Sequence, residues 1–437
     1  MTAGMNQVRK RSGSYGFGRG PLCALAVIGA SLMVTIGAAP AAIAADAQSK
    51  QWYLDSMRAE EIWKTTTGEG IKVAVIDSGV NGSTPSLKGQ VLKGLDATET
   101  DGKTDDIDGH GTTMAELIAG TGAGGGLKGL APGAKIIPMR IADKAFEEKH
   151  KSNPWDDSIA VRAAADSDAK IISMSVGNEF LDVKEKEAVE YAQSKGKLLF
   201  AAVGNSGNSA NKPAYPANYP EVVGVAGTDR EGQVAKYSNH GDFVDIAAPA
   251  NDIPRWCDET FTKYCDGDGG TSSATALASA TAALIWSANP DWTANQVLRV
   301  MFESAGRGDD WKPGTVSNYL GHGIVRPNAA INRGIGEPGD PDVSPLTNER
   351  TTSAGSADAG APSKEGSAKD DDTGSSPPKS GAEGDGKDKG KDTDTVAAGN
   401  AEDSSDDSQL GLILGGVAVV AVLAGGAFAV VRKRRTA

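Results

Sequence analysis

Short apolar runs recur along much of the chain, and most of them end in a small or polar residue. The runs cover residues 71–76, 136–141, 171–176, 198–203 and 222–226. Segments 158–166 and 184–194 instead carry a helical residue pattern. Apolar strands that alternate with helices are typical of a parallel sheet covered on both faces. The pattern therefore predicts an α/β fold with a mainly parallel central sheet, and functional residues at the carboxyl ends of its strands.

The first 44 residues are typical of an export signal. Basic residues before position 20 precede an apolar run over 22–39, and Ala42-Ile43-Ala44 matches the small-residue cleavage pattern. A membrane anchor is the alternative, but no cluster of basic residues follows this run. We therefore expect cleavage near Ala44, then a short lead-in over residues 45–70 and a folded domain over residues 71–333.

The carboxyl-terminal part divides into a polar segment and an apolar one. Residues 334–409 are rich in Gly, Ser, Asp and Lys and almost lack large apolar side chains, so we expect a disordered spacer. The uncharged run 410–431 is long enough to cross a ~30 Å hydrocarbon core as one helix. The basic tail 432–437 then predicts a cytoplasmic carboxyl terminus, and hence a single-pass cell-membrane protein whose folded domain lies outside.

The net charge argues against a nucleic-acid partner, and the cysteine content is consistent with an exported protein. The formal net charge is −13, which disfavours nucleic acid because phosphate repels an acidic protein. Once Cys23 leaves with the signal, Cys257 and Cys265 remain. In an oxidising compartment we expect them to form a disulfide, with two free thiols as the alternative.

An acidic run between Asp101 and Asp108 is a possible calcium site. Its spacing does not fit an EF-hand, and a solvated loop is the favoured interpretation. We therefore predict no metal and no cofactor.

Two of the polar positions suit a histidine base and its orienting carboxylate. Asp77 closes the apolar run 71–76, where a carboxylate can orient a histidine, although an ordinary turn often ends a strand in the same way. His110 lies between two glycines, which let backbone approach the ring closely. Its pKa suits general base work, and a surface turn is the alternative.

Two further positions suit a nucleophile and an oxyanion donor. Ser272 precedes the predicted helix 274–288, where the helix dipole favours negative charge. The alternative is a serine N-cap, and Ser273 is its confusable neighbour. Asn205 follows the run 198–203, and its amide can donate to an oxyanion, whereas a turn asparagine is the alternative.

The segments Asp77-Ser78-Gly79, His110-Gly111-Thr112 and Gly270-Thr271-Ser272 resemble the motifs of the subtilase family, in the order Asp, His, Ser. The resemblance covers roughly residues 52–333. It implies a subtilisin-like three-layer fold and a serine endopeptidase acting on protein or peptide substrates. Asp77, His110 and Ser272 would form the triad, and Asn205 the oxyanion hole. Ser175-Val176-Gly177 resembles the segment that pairs with substrate as an added strand.

The arrangement of the whole chain resembles one group within that family. Only about 26 residues separate the signal from the first strand, which is too few for a folded pro-domain. With the signal, the spacer and the single anchor, this resembles mycosins, the membrane-anchored subtilases associated with type VII secretion. The resemblance implies type VII membrane components as partners. A general cell-surface subtilase is the alternative.

The sequence departs from the subtilase pattern at one position, and two other functions are alternatives to a peptidase. Ala276 stands where subtilases usually have proline, which alters helix geometry rather than a catalytic atom. An esterase would need Gly-x-Ser-x-Gly, but the nearest string begins at Ser173 with serine. A non-enzymatic scaffold of a secretion complex is the third function class.

Overall fold

The computed structural model describes residues 47–351, apart from 143–156, 268, 309–310 and 313. The chain divides into the units Met1–Ala361 and Pro362–Ala437, and every described residue lies in the first. The predicted signal, membrane span and basic tail lie outside the described residues. Within the part that the structure describes, no helix is both long and apolar enough to cross a membrane.

A seven-stranded parallel sheet forms the middle layer of the described part. Its strands are β1 (Lys72–Asp77), β2 (Leu95–Asp96), β3 (Lys135–Arg140), β4 (Ile171–Met174), β5 (Leu198–Ala202), β6 (Val223–Thr228) and β7 (Ile246–Pro249). Their order is β2-β3-β1-β4-β5-β6-β7. All neighbouring strands run parallel, so their carboxyl ends lie at one edge. The predicted α/β fold with a mainly parallel central sheet is confirmed.

Helices cover both faces of this sheet. They are α1 (Trp52–Ser56), α2 (Ala59–Ile62), α3 (His110–Ala119), α4 (Asp157–Asp166), α5 (Val183–Ser194), α6 (Thr271–Ala288), α7 (Ala294–Ser304) and α8 (Pro327–Arg333). One core lies between the sheet and α3, α6 and α7, and a second lies between the sheet and α4 and α5. Val73 faces the first core and Ala74 the second, which is why β1 is apolar at successive positions.

Several elements differ from what the apolar pattern predicts. Helix α6 begins at Thr271 rather than at 274, so Ser272 lies inside its first turn. Strand β7 was not predicted, because it is four residues long and contains alanine and proline, which have little preference for strands. The lead-in 45–70 contains α1 and α2, whose Tyr53 and Ile62 are fully buried in the first core.

The predicted spacer also begins too early. Residues 334–351 fold as turns against α7. Thr293 Oγ1 donates a hydrogen bond to Pro341 O at 3.0 Å, and Arg299 Nη2 donates to Val343 O at 3.1 Å. The low apolar content of this segment correctly predicts little burial. It gives no information about hydrogen bonds from helix side chains to the carbonyl groups of a turn.

A small antiparallel hairpin braces the start of α3. It consists of β8 (Arg255–Trp256) and β9 (Tyr264–Cys265), and a disulfide joins Cys257 to Cys265. The Trp256 ring stacks on the Tyr264 ring at a centroid distance of 3.9 Å. The Trp256 amide donates to Thr113 Oγ1 at 3.0 Å, which ties the hairpin to the helix that His110 begins.

Candidate active site

The carboxyl end of β1 brings Asp77 close to α3. Asp77 is 1% exposed, and its Oδ1 accepts a hydrogen bond from the Ser78 amide at 2.8 Å. The close approach depends on Gly111, because a Cβ there would lie 2.1 Å from Gly79 O. The glycine after the histidine therefore lets the first turn of α3 rest directly on the loop that follows β1.

His110 forms a short hydrogen bond with this carboxylate. Its Nδ1 donates to Asp77 Oδ1 at 2.7 Å, and the His110 side chain stays 37% exposed while the Asp77 side chain is only 2% exposed. Burial lowers the pKa of His110. The charge and hydrogen bond of Asp77, together with the charges of Asp108 and Asp106, outweigh this and raise the pKa of His110 to about 9. The ring is thus held in one orientation, and its Nε2 side is left for a reacting group.

Asp106 in the acidic run is a buried structural group rather than part of a solvated loop. It is 7% exposed, and its Oδ2 accepts from the Thr112 amide at 2.8 Å. Its Oδ1 accepts from Ser78 Oγ at 2.9 Å and from the Gly109 amide at 3.0 Å. Asp106 therefore joins the first turn of α3 to the loop carrying Asp77. Among the described residues, no three His, Cys, Asp or Glu side chains are placed to hold a metal ion.

Ser272 lies in the first turn of α6 and shares a cavity with His110. The cavity has a volume of about 330 Å³ and is also lined by Asn205 and Trp256. Ser272 Oγ donates to Ser175 O at 3.3 Å, and Ser175 Oγ donates to Ser272 O at 3.1 Å. Within the described residues no hydrogen bond links Ser272 to His110. The structure thus brings the three predicted side chains to one place, with the serine hydroxyl turned towards β4.

Asn205 is oriented by the residue before the serine. Its Oδ1 accepts from the Thr271 amide at 2.9 Å and from Thr271 Oγ1 at 3.1 Å. Because the oxygen is engaged, the Nδ2 group points the other way. A Cβ at Gly270 would lie 3.8 Å from Asn205 Nδ2 and 4.0 Å from the Ser272 amide nitrogen. Two N–H donors therefore border the space that Gly270 leaves open, and such a pair can stabilise a negatively charged oxygen.

Sequence reasoning gave no role to Asn239, which holds the loop carrying Asn205. Asn239 is 2% exposed, and its Oδ1 accepts from the Ser206 amide at 2.7 Å. Its Nδ2 donates to Lys212 O at 2.7 Å, and its amide donates to Gly204 O at 3.0 Å. An asparagine far along the chain offers no local signal of this position. Only the fold brings it beneath the loop.

The segment after β4 has an open backbone edge. Among the described residues, the backbone groups of Val176 and Gly177 form no hydrogen bond. Pairing resumes at Asn178, whose amide donates to Tyr215 O at 3.0 Å. Ser175 lies beside Ser272, so an extended peptide paired along this edge would reach the serine.

Comparison with known proteins identifies the family to which most of the described chain belongs. The model of the subtilase family matches residues 68–323. Thermitase from Thermoactinomyces vulgaris is 33% identical over 279 residues, which span 62% of this chain and 95% of thermitase.

Two solved structures extend the comparison to three dimensions. MycP1 from Mycobacterium smegmatis is 26% identical, with a TM-score of 0.55 over 64% of this chain and 84% of its own. The MycP3 protease from the type VII (ESX-3) secretion system is 27% identical, with a TM-score of 0.55 over 68% of this chain and 90% of its own. The sequence resemblance to subtilases, and to mycosins among them, is confirmed.

Proposed function

The chain belongs to the subtilase family of serine proteases, and from that premise we propose that it cleaves peptide bonds outside the cell membrane as a mycosin-like endopeptidase. Asp77, His110 and Ser272 are its triad. The observation that carries the assignment is the 2.7 Å hydrogen bond from His110 to Asp77 at a cavity that also contains Ser272.

The chemistry follows from the positions of these groups. The Ser272 hydroxyl rotates from Ser175 O to His110 and attacks the scissile carbonyl carbon, while His110 accepts its proton. The carbonyl oxygen takes the negative charge, which Asn205 Nδ2 and the Ser272 amide stabilise. When the C–N bond breaks, His110 gives the proton to the leaving amine. A water then hydrolyses the acyl group from Ser272 by the same steps, and Asp77 holds the ring throughout.

The proposed location and partners rest on the chain termini and on the relatives. The predicted export signal, the apolar run 410–431 and the basic tail support a membrane-anchored protein with its protease domain outside. MycP3 belongs to a type VII secretion system, which supports membrane components of such a system as partners.

Labelling with a fluorophosphonate tests the catalytic assignment. We expect the wild-type chain to be labelled and Ser272→Ala to lose both labelling and peptide hydrolysis. Ser273→Ala is the matched control and should keep both. Asn205→Ala should lower kcat by about 10²–10³-fold with little change in labelling stoichiometry. Labelling that persists in Ser272→Ala and disappears in Ser175→Ala would contradict the assignment and favour an esterase.

A secretion assay separates the proteolytic role from the scaffold role. Cells lacking the gene are complemented with wild-type chain or with Ser272→Ala at equal membrane abundance. If proteolysis serves secretion, the Ser272→Ala strain secretes like the deletion strain. Full secretion by that strain would instead identify the domain as a scaffold.

A further inference from the structure

A second cavity, with a volume of about 550 Å³, lies beyond the carboxyl ends of β6 and β7. It is bordered by Pro249 at the end of β7, by the turn 231–234 after β6, and by α8. None of its lining residues lines the cavity of His110 and Ser272. Its volume is in the range of sites that bind small ligands or a few side chains of a peptide.

The floor of this cavity is apolar. Met57, Leu320 and Ile324 line it, together with Val325 and Ala329. Met57 is 5% exposed, and Val325 and Ala329 are buried as well. An apolar surface of this kind favours a side chain or an alkyl group over a fully hydrated inorganic ion.

The rim is cationic. Four arginines line it, at positions 58, 307, 326 and 333, against the single acidic residue Glu231. Arg58 forms an ion pair with Glu61 at 2.9 Å. The other three arginines have no carboxylate partner among the described residues. In a chain whose formal net charge is −13, this is a local reversal of sign.

Two of these guanidinium groups are held in place by backbone carbonyls. Arg307 donates from Nε to His322 O at 2.7 Å and from Nη2 to Phe302 O at 3.0 Å. Arg326 donates from Nε to Ser304 O at 3.0 Å and from Nη2 to Ala305 O at 3.3 Å. These bonds fix both side chains before any ligand arrives, which lowers the entropy lost on binding. Nη1 of each remains available as a donor.

Capping of α7 explains only part of this arrangement. Carbonyls at the end of a helix attract cations, so Arg307 and Arg326 would stabilise α7 on their own. That role does not require Arg333 to be close to them. Burial, followed by the positive charges of Arg333 and Arg307, lowers the pKa of Arg326. Arg307 and Arg333 therefore both repel Arg326, and a bound anion would relieve this repulsion.

We propose that this cavity binds an acidic peptide segment of another protein. Carboxylates of the segment pair with the arginines, and an apolar side chain between them lies on Met57, Leu320 and Ile324. Charge complementarity and the apolar floor together select this class of ligand. Because the arginines stand on separate chain segments, they match several spaced carboxylates better than one compact dianion. The site is separate from the triad and does not depend on proteolysis.

The test uses the full-length chain in detergent, with Ser272→Ala to prevent cleavage. The probe is a fluorescein-labelled peptide, Asp-Leu-Glu-Leu-Asp, and its neutral counterpart is Asn-Leu-Gln-Leu-Asn. By fluorescence anisotropy we expect saturable binding of the acidic probe that weakens as salt is raised. The neutral counterpart should bind at least about tenfold more weakly.

Variants that remove one positive or one negative charge at the cavity show where the acidic probe binds. Arg333→Gln should weaken it about threefold, and Glu231→Gln should strengthen it about twofold, since each removes one charge at the rim. Arg162→Gln on α4 is the matched control and should leave the affinity unchanged. Equal effects of Arg333→Gln and Arg162→Gln, or equal binding of the neutral peptide, would overturn the proposal. Displacement of the probe by dihexanoyl phosphatidylglycerol more readily than by unlabelled peptide would assign the cavity to a lipid headgroup instead.

Discussion

Helices α3 and α6 both begin at the proposed active site, and they differ in the kind of residue that surrounds them. Helix α3 starts with His110 and lies among carboxylates, with Asp77 and Asp106 at its first turn and Glu116 within it. Helix α6 contains Ser272 and no charged residue along its 18 positions. The histidine end of the site should therefore respond mainly to charge and pH, and the serine end mainly to changes of volume.

Glu116 shows that ionisable side chains continue along α3 beyond His110. It is fully buried, and it accepts from Thr84 Oγ1 at 2.8 Å and from the Tyr264 hydroxyl at 2.7 Å. Burial raises the pKa of Glu116 to about 7, although these hydrogen bonds oppose the rise. Since Tyr264 belongs to the disulfide hairpin, one carboxyl links α3 to that hairpin.

Helix α6 owes its position to small side chains. Ala276, Ala278, Ala280 and Ala282 are all fully buried in the first core. Alanines let a helix lie close to β4, β5, β6 and β7 without leaving voids. This close packing holds Ser272 at the sheet edge.

The largest expected loss of activity follows from disrupting the Asp77–His110 pair. Asp77→Asn should lower kcat/KM about 10⁴-fold, because the amide no longer holds the ring or stabilises its protonated form. Peptide hydrolysis under kcat/KM conditions measures the loss. Asp108→Asn removes a nearby charge without touching the ring and should cause a far smaller loss. Equal losses in both variants would show that charge around the site matters and orientation does not.

The same variants have an expected pH dependence. In the proposed mechanism only neutral His110 can accept the serine proton, so kcat/KM of the wild type should rise with pH and level off above the His110 pKa of about 9. Removing the Asp108 charge lowers that pKa, so the rise in Asp108→Asn should occur at lower pH. An unchanged profile would contradict the electrostatic origin of the shift.

A smaller effect concerns stability around Glu116. Between pH 4.5 and about 7 the folded state keeps a proton on Glu116, whereas the unfolded state has already released it. The free energy of unfolding should therefore fall by about 3 kcal/mol as pH rises through this window. Glu116→Gln, with a neutral side chain of the same shape, should lack this part of the decline. Urea unfolding at several pH values measures the difference, and parallel curves for both proteins would contradict it.

The smallest effect concerns the serine side. Ala280→Leu inserts extra carbon atoms into the packed core and should lower the free energy of unfolding by about 1–3 kcal/mol. Because α6 carries no titratable group, the loss should be the same at pH 5 and pH 8. Ala210 is exposed, and Ala210→Leu serves as the control. A loss that varied with pH would show that α6 is coupled to charge after all.

The sequence predicted the parts of the site that local patterns encode. Apolar runs indicated β1 and β5, and the motifs around them placed Asp77 and Asn205 at strand ends, where the structure has them. It did not reveal the roles of Asp106, Glu116 and Asn239. Glu116 and Asn239 act through partners far away in sequence, such as Tyr264 for Glu116, and Asp106 joins the start of α3 to the distant Ser78, so no periodicity indicates these roles. A buried polar group is identified by its hydrogen-bond partners, and those exist only once the chain is folded.

Because Gly111 has no Cβ, a single substitution there could abolish the proposed peptidase activity. The contact with Gly79 O leaves no room for another atom. An added methyl group would push α3 away from β1, and His110 would move out of reach of Asp77. The enzyme can thus be inactivated by a substitution that leaves every reacting group in the chain. Natural variants of this chain should be judged at position 111 as strictly as at the three residues of the proposed triad.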